Sequence, residues 1–215
     1  AYRIISKNYG GKKMFTISKD HVMFTAVKMA TKILATCSNP DRRVVYIDNA
    51  NLYVTDSKRL LQATFPADVV LPEPGAYRVI SAGAAGYILQ PAPDAPKMYD
   101  VDRIIKPVLS NPYQTIEADE KSYVVYRCMR PRNNLSMLIN VDFVLDAWDT
   151  FLQPHKIGKK EYDYATVQLY SSSNNQPLGI ASSVSRGEDT VNYLYVVMPM
   201  TLRPDEWESG ARSDS

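Results

Sequence analysis

The chain has 215 residues, 45% of them hydrophobic and 22% charged. That composition excludes a disordered or fibrous protein and allows one large domain or two small ones. With 25 basic and 23 acidic residues the net charge is only +2, so any contact with nucleic acid must come from how charge is distributed and not from its total. No window approaches the roughly 18 apolar residues of a membrane span, and no charged segment followed by an apolar one opens the chain as a secretory signal would. Cys37 and Cys128, the only two cysteines, are expected to be free and buried. An intracellular, cytoplasmic protein is expected from this combination.

Residues 1–13 read as a strand or arm closed by the turn Gly-Gly-Lys-Lys. A helix follows, with Ser18 as its expected N-cap. Val22, Ala26, Val27, Met29, Ala30, Ile33 and Leu34 form its apolar stripe, and Thr25, Lys28 and Lys32 its other face. Pro40 ends it. RVVYID, NLYVTD and RLLQATF read as strands, then AYRVIS and GYILQP around the turn AGAA. Residues 91–112 hold five prolines and read as a long crossover.

In the second half SYVVYRCM and NLSMLI read as strands. NVDFVLDAWDTFLQP reads as a helix, with Asn140 as N-cap and Pro154 closing it. ATVQLYS, PLGIASS and NYLYVVM read as the last strands, and residues 205–215 as a polar, disordered tail. A helix followed by antiparallel strands therefore occurs twice. The expected fold is α+β, with both helices on one face of a curved sheet and the halves at 1–98 and 99–204.

Motifs for catalysis are missing. There is no G-x-G-x-x-G, no P-loop, and no Cys/His cluster at metal spacing. His21 and His155 have no nucleophile setting around them. EADE at 117–120 reads as a solvated turn sooner than as an acid–base or metal cluster. NLS at 134–136 is a glycosylation sequon by letter only, given the expected compartment. The expectation is a non-catalytic binding or scaffolding protein with no cofactor and no metal.

Three stretches, in order, resemble the bacterial β sliding clamp, the processivity subunit of the replicative polymerase. YVVMPMTL (195–202) is close to that family's last strand. INVDFVLDAW (139–148) resembles its last helix. LYVTDSKRLLQATFPA (52–67) is similar to a middle-domain strand pair whose turn reads Thr-Asp-Gly-His-Arg-Leu. MYDVDRIIKP (98–107) is similar to the linker into the third domain, and PGAYRVIS (74–81) to a Gly-Ala-Val-x-Val-Pro segment. Together they span about residues 14–202. The chain departs from the family in having room for only two helix-plus-strands units. Ser57 and Lys58 stand where the turn has Gly and His, Ile104 replaces the linker's second arginine, and Thr201 replaces an arginine near the end.

The resemblance implies a DNA-clamp-like fold and a pocket for short Gln- and Leu/Phe-containing peptides from polymerases and the clamp loader. Carried over, the pocket uses Thr55, Ser57, Lys58, Arg59 and Leu60 of the turn. Asp100, Ile104 and Ile105 come from the linker, and Val196, Met198, Pro199 and Met200 from the last strand. Methionine suits such a surface because its unbranched, polarizable chain repacks around varied ligands. Read without the resemblance, Met198 and Met200 are plain core or edge residues of a strand stopped by proline.

The family also lines its hole with basic helices that contact duplex phosphates without reading sequence. Here Lys28 and Lys32 share a helical face, with Lys12, Lys13 and Lys19 before it and Arg42 and Arg43 after it. An ordinary solvated face is the other reading of these charges. Asp142, Asp146 and Asp149 on the second helix oppose a DNA role. Two readings follow. One is a minimal sliding clamp that self-associates around DNA, six copies being needed to match the family's twelve helices. The other is a clamp-derived interaction protein that binds or sequesters clamp partners without encircling DNA.

Overall fold

The computed structural model describes residues 5–9, 12–83, 86–129, 137–153, 155–156, 162–163, 165–170, 176–186 and 189–201. The tail at 205–215, the sequon at 134–136 and Pro154 lie outside them. The first half contains β1 (Ile5–Tyr9), β2 (Lys12–Ser18), α1 (Phe24–Ala35), a 3-10 turn (Pro40–Arg42), β3 (Val45–Ile47), β4 (Asn51–Thr55), β5 (Arg59–Thr64), β6 (Gly75–Gly83) and β7 (Gly86–Pro91). The second contains α2 (Asp102–Leu109), β8 (Tyr113–Glu117), α3 (Lys121–Met129), β9 (Met137–Leu138) and α4 (Val141–Ala147), which runs into a π-helical turn (Trp148–Leu152). β10 (His155–Lys156), β11 (Tyr162–Asp163), β12 (Thr166–Tyr170), β13 (Leu178–Arg186), β14 (Asp189–Val197) and β15 (Met200–Thr201) complete it.

Eleven strands form one antiparallel sheet in the order β1-β2-β7-β6-β3-β4-β5-β14-β13-β12-β8. After β1 in the first half and α2 in the second, each half runs from a strand through helix and returns as a three-stranded meander: β2, α1, β3-β4-β5, and then β8, α3 and α4, β12-β13-β14. The β6–β7 hairpin is inserted between β2 and β3. The halves join where β5 pairs with β14, Leu60 opposite Val196 and Leu61 opposite Tyr195. The twofold helix-plus-strands organisation expected from the sequence is therefore present, and it is α+β.

Alternation along the joining strands sorts the molecule into two layers. Tyr193, Tyr195 and Val197 of β14 and Leu61 and Ala63 of β5 face the main core, under α1, α3 and α4. Phe151 stacks on Tyr193 there, with ring centroids 4.9 Å apart. Leu194, Val196 and Leu60 face the other way and meet Ile105 and Val108 of α2. The two helices read from the sequence, α1 and α4, do share one face of the sheet, while α2 covers part of the opposite face.

Several elements differ from expectation. Ser18 is no N-cap. Residues 14–18 alternate, with Phe15 and Ile17 buried, and the segment pairs with β1 and β7 as strand. α1 begins only at Phe24, where the Met23 N–H donates to His21 Nδ1 at 3.1 Å. Thr25, expected on the polar face, is buried. The β-branched and aromatic run SYVVYRCM is helix α3, because Val124 and Cys128, one turn apart, are what the core buries, while Tyr123 and Tyr126 stay exposed. Packing overrides strand propensity there. The proline-rich crossover contains α2, whose Ile105 and Val108 dock on the sheet and whose Asp102 and Lys106 pair at 2.7 Å. Docking, not propensity, holds so short a helix with Pro107 inside it. Asn140 does cap α4, accepting from the Asp142 N–H at 2.9 Å.

Candidate peptide-binding cleft

The β4–β5 turn is built by its own side chains. Asp56 Oδ1 accepts from the Lys58 and Arg59 N–H groups, both at 3.0 Å. Thr55 Oγ1 donates to the Arg59 carbonyl at 2.8 Å. Ser57 takes φ +75°, the left-handed region that favours glycine, at the position where the resembling family carries one. The chain leaving β14 is tied to this turn, since the Met198 N–H donates to the Lys58 carbonyl at 2.8 Å. α2 closes the third side.

These three segments enclose a cleft of about 390 Å³, lined by Thr55, Ser57, Leu60, Asp100, Ile104 and Met198 among others. Stretches far apart in sequence thus converge, and each contributes apolar wall. Ile105 and Val196 lie beneath it in the cluster with Leu60, Val108 and Leu194. Lys58 is exposed beside the turn, and Pro199 follows Met198 as a half-buried residue. Met200 leaves this surface: it pairs with Leu138 in the short β15–β9 ladder. Tyr99, Val101 and Arg103 also line the cleft and were missed by sequence reasoning. Reading MYDVDRII as a helix entry would have found Val101, because Val101 and Ile104 precede Ile105 and Val108 on one helical face. Asp100 pairs with Arg103 at 3.2 Å on the rim.

Arg59 lines the cleft only where its chain passes. Its guanidinium is on the helical side of the sheet, with the residue 1% exposed. Nε meets Asp56 Oδ2 at 3.0 Å, Nη1 meets Asp146 Oδ2 at 2.6 Å, and Nη2 donates to the Lys32 carbonyl at 2.9 Å and to Thr36 Oγ1 at 3.0 Å. The Phe143 ring lies 4.2 Å below it. Burial works against this charge, but Tyr195, Asp146 and Asp56 outweigh burial and raise the guanidinium above its ordinary value. Burial also pushes the Tyr195 phenol well up, against the pull of Arg59. A side chain so engaged is a pin between β5, α1 and α4 and does not reach a peptide.

Two of the basic residues expected to face DNA are engaged by neighbouring groups. Lys32 pairs with Asp146 at 2.9 Å, and Lys28 Nζ donates to the Asp149 carbonyl at 3.0 Å. Lys121 of α3 pairs with Asp149 at 3.4 Å. Lys32 of α1 and Asp146 of α4, opposed in the sequence reading, thus answer each other, while Lys28 meets the backbone carbonyl of Asp149 in the π-helical turn. Arg42 lies 4.6 Å from the centroid of the Tyr99 ring. Arg43 is exposed and donates from Nε to the Cys37 carbonyl at 3.0 Å. Lys19 is exposed just past β2, and Lys12 and Lys13 lie within β2.

No metal cluster of three or more His, Cys, Asp or Glu occurs among the described residues, and no helix there is long and apolar enough to cross a membrane. No family model matches the chain. No curated protein is significantly similar to it. Among solved structures it is similar to the H. pylori β clamp in complex with diflunisal, at 14% identity and a TM-score of 0.47 over 88% of this chain and 66% of that one. It is also similar to A. fulgidus PCNA bound to the C-terminal region of FEN-1, at 10% identity and a TM-score of 0.46 over 88% of this chain and 99% of that one. The match thus spans just under two thirds of the H. pylori chain.

Proposed function

We propose that this chain is a non-catalytic, clamp-type processivity factor that receives partner peptides in the cleft between the β4–β5 turn, α2 and Met198. The observation that carries the reading is convergence. The three stretches TDSKRL, YDVDRII and VVM, quoted for their resemblance to the clamp family, supply the walls of one apolar cleft with a few polar groups at its rim, the usual form of a peptide site. Its partners on this reading are a DNA polymerase and a clamp loader, engaged through short linear peptides, and duplex DNA without sequence preference. The chain acts in the cytoplasm as a homo-oligomer, with halves at 1–98 and 99–204. Among the described residues β1 and β8 end the sheet, and edges of that kind pair or must be protected.

The test is calorimetry with a Gln-Leu-x-Leu-Phe peptide and with peptides from the host's polymerase. Burying one Leu and one Phe contributes on the order of 3–6 kcal/mol gross, and ordering costs reduce that to roughly micromolar affinity. Met198→Ala should weaken it severalfold. No binding by any of these peptides, or equal binding by Met198→Ala, refutes the cleft assignment.

A second reading keeps the cleft and drops the ring: an interaction protein that binds or sequesters clamp partners. The pairing of Lys32 with Asp146, and of Lys28 with the Asp149 carbonyl, favours it, because cations so engaged offer less to phosphate. Light scattering behind a sizing column separates the two. A closed oligomer supports encirclement, and a monomer at all concentrations leaves the sequestering protein.

A further inference from the structure

A second, narrow gap shares Thr55, Ser57 and Tyr99 with the cleft and is lined on its other walls by Arg42 and Lys97. The segment carrying Lys97 is held in place, because the Tyr46 hydroxyl donates to the Pro96 carbonyl at 2.7 Å. Lys58 is exposed on the adjoining turn. Among the described residues none of these three cations forms an ion pair. Of the neighbouring carboxylates, Asp56 holds Arg59, Asp94 holds Arg78 and Asp100 holds Arg103, which leaves Asp41, exposed beside Arg42 in the 3-10 turn, as the one carboxylate close in sequence to these cations that is in no ion pair among the described residues. Three cations against that one carboxylate leave this end of the apolar cleft with an excess of positive charge. A guanidinium lying over an aromatic ring keeps its N–H edge for a planar, doubly accepting anion.

Resting on the peptide-cleft reading, we propose that the partner peptide carries an acidic side chain beside its apolar anchors, and that Arg42 and Lys97 hold its carboxylate across Tyr99, with Lys58 adding to the field. Arg59, expected from the sequence in the pocket beside Lys58, has its guanidinium occupied on the other side of the sheet. An acidic flank is favoured over a phosphate backbone because the cations adjoin an apolar cavity, which a nucleic acid would leave unfilled.

The experiment is fluorescence anisotropy on the full chain with four labelled peptides. All share the Gln-Leu-x-Leu-Phe core, and they carry either Asp-Glu or Asn-Gln at the N-terminal or the C-terminal side. One acidic peptide should bind about fivefold tighter than its neutral twin at about 50 mM salt, with the ratio falling below about twofold at about 0.5 M. The ratio should approach one in Arg42→Gln/Lys97→Gln, and Lys97→Gln alone, at an exposed position, should remove part of it. Equal binding of acidic and neutral peptides overturns this inference and leaves the cleft reading standing. Binding of none of the four overturns both. If the double variant weakens duplex DNA binding and keeps the acidic preference, these cations serve phosphate and the inference is wrong.

Discussion

Arg59 of β5 and Asp146 of α4 meet at 2.6 Å, and that contact fastens the sheet of the first half to a helix of the second. Arg59 also holds Asp56, whose side chain is fully buried. Removing the guanidinium would strand that carboxylate beside an emptied site. Arg59→Ala should cost about 3–5 kcal/mol. Asp146 keeps 28% of its side-chain surface exposed, so Asp146→Asn should cost less, about 1–2 kcal/mol. Urea unfolding measures both, and a loss below about 1 kcal/mol for Arg59→Ala would show that the network is not a pin.

Gly179 of β13 lets α2 sit down on the sheet. A Cβ there would lie 2.4 Å from Val108 Cγ1 and 3.1 Å from Tyr170 Cβ. Gly179→Ala should therefore lift α2, destabilise by about 1–3 kcal/mol, and weaken peptide binding, because α2 carries Ile104. Unchanged peptide affinity in a destabilised Gly179→Ala would mean that α2 is not a wall of the site.

His21 gives the fold a pH dependence. Burial lowers its pKa from 6.5, with Asp189 opposing. The unfolded chain then takes up a proton near pH 6.5 that the folded chain still refuses, so stability is full above that pH. It falls as the pH drops from 6.5 toward the lowered folded value. The wild type should lose stability on acidification over this window more steeply than His21→Gln, compared by urea midpoints at each pH. Equal slopes would remove His21 as the cause.

The helical face can be tested as a DNA surface. If the chain encircles duplex, Lys28→Glu with Lys32→Glu should lower affinity equally for unrelated sequences and flatten the salt dependence. Asp149→Asn, which removes an exposed carboxylate beside Lys121, should raise affinity. Anisotropy at low salt reads both changes. No binding by the parent chain, or no response to either change, would leave the non-encircling reading.

The sequence by itself determined the repeated helix-plus-strands order, the α1 stripe, the Asn140 cap and most of the strands, because each rests on local periodicity or turn chemistry. It also marked the three stretches that make the cleft. Only the tertiary structure decided which way each side chain faces. Strand alternation puts Leu60 on the cleft side and Arg59 on the opposite one, although the two are adjacent in a single motif. Lys32 and Asp146 lie 114 residues apart, so their mutual neutralisation had no local signature. α2 and α3 escaped for a different reason: the residue types there argued against helix, even though Val101, Ile104, Ile105 and Val108 keep a helical spacing. Proline and β-branched residues argue locally against helix, and burial of Ile105, Val108, Val124 and Cys128 against a distant sheet and core outweighs that preference.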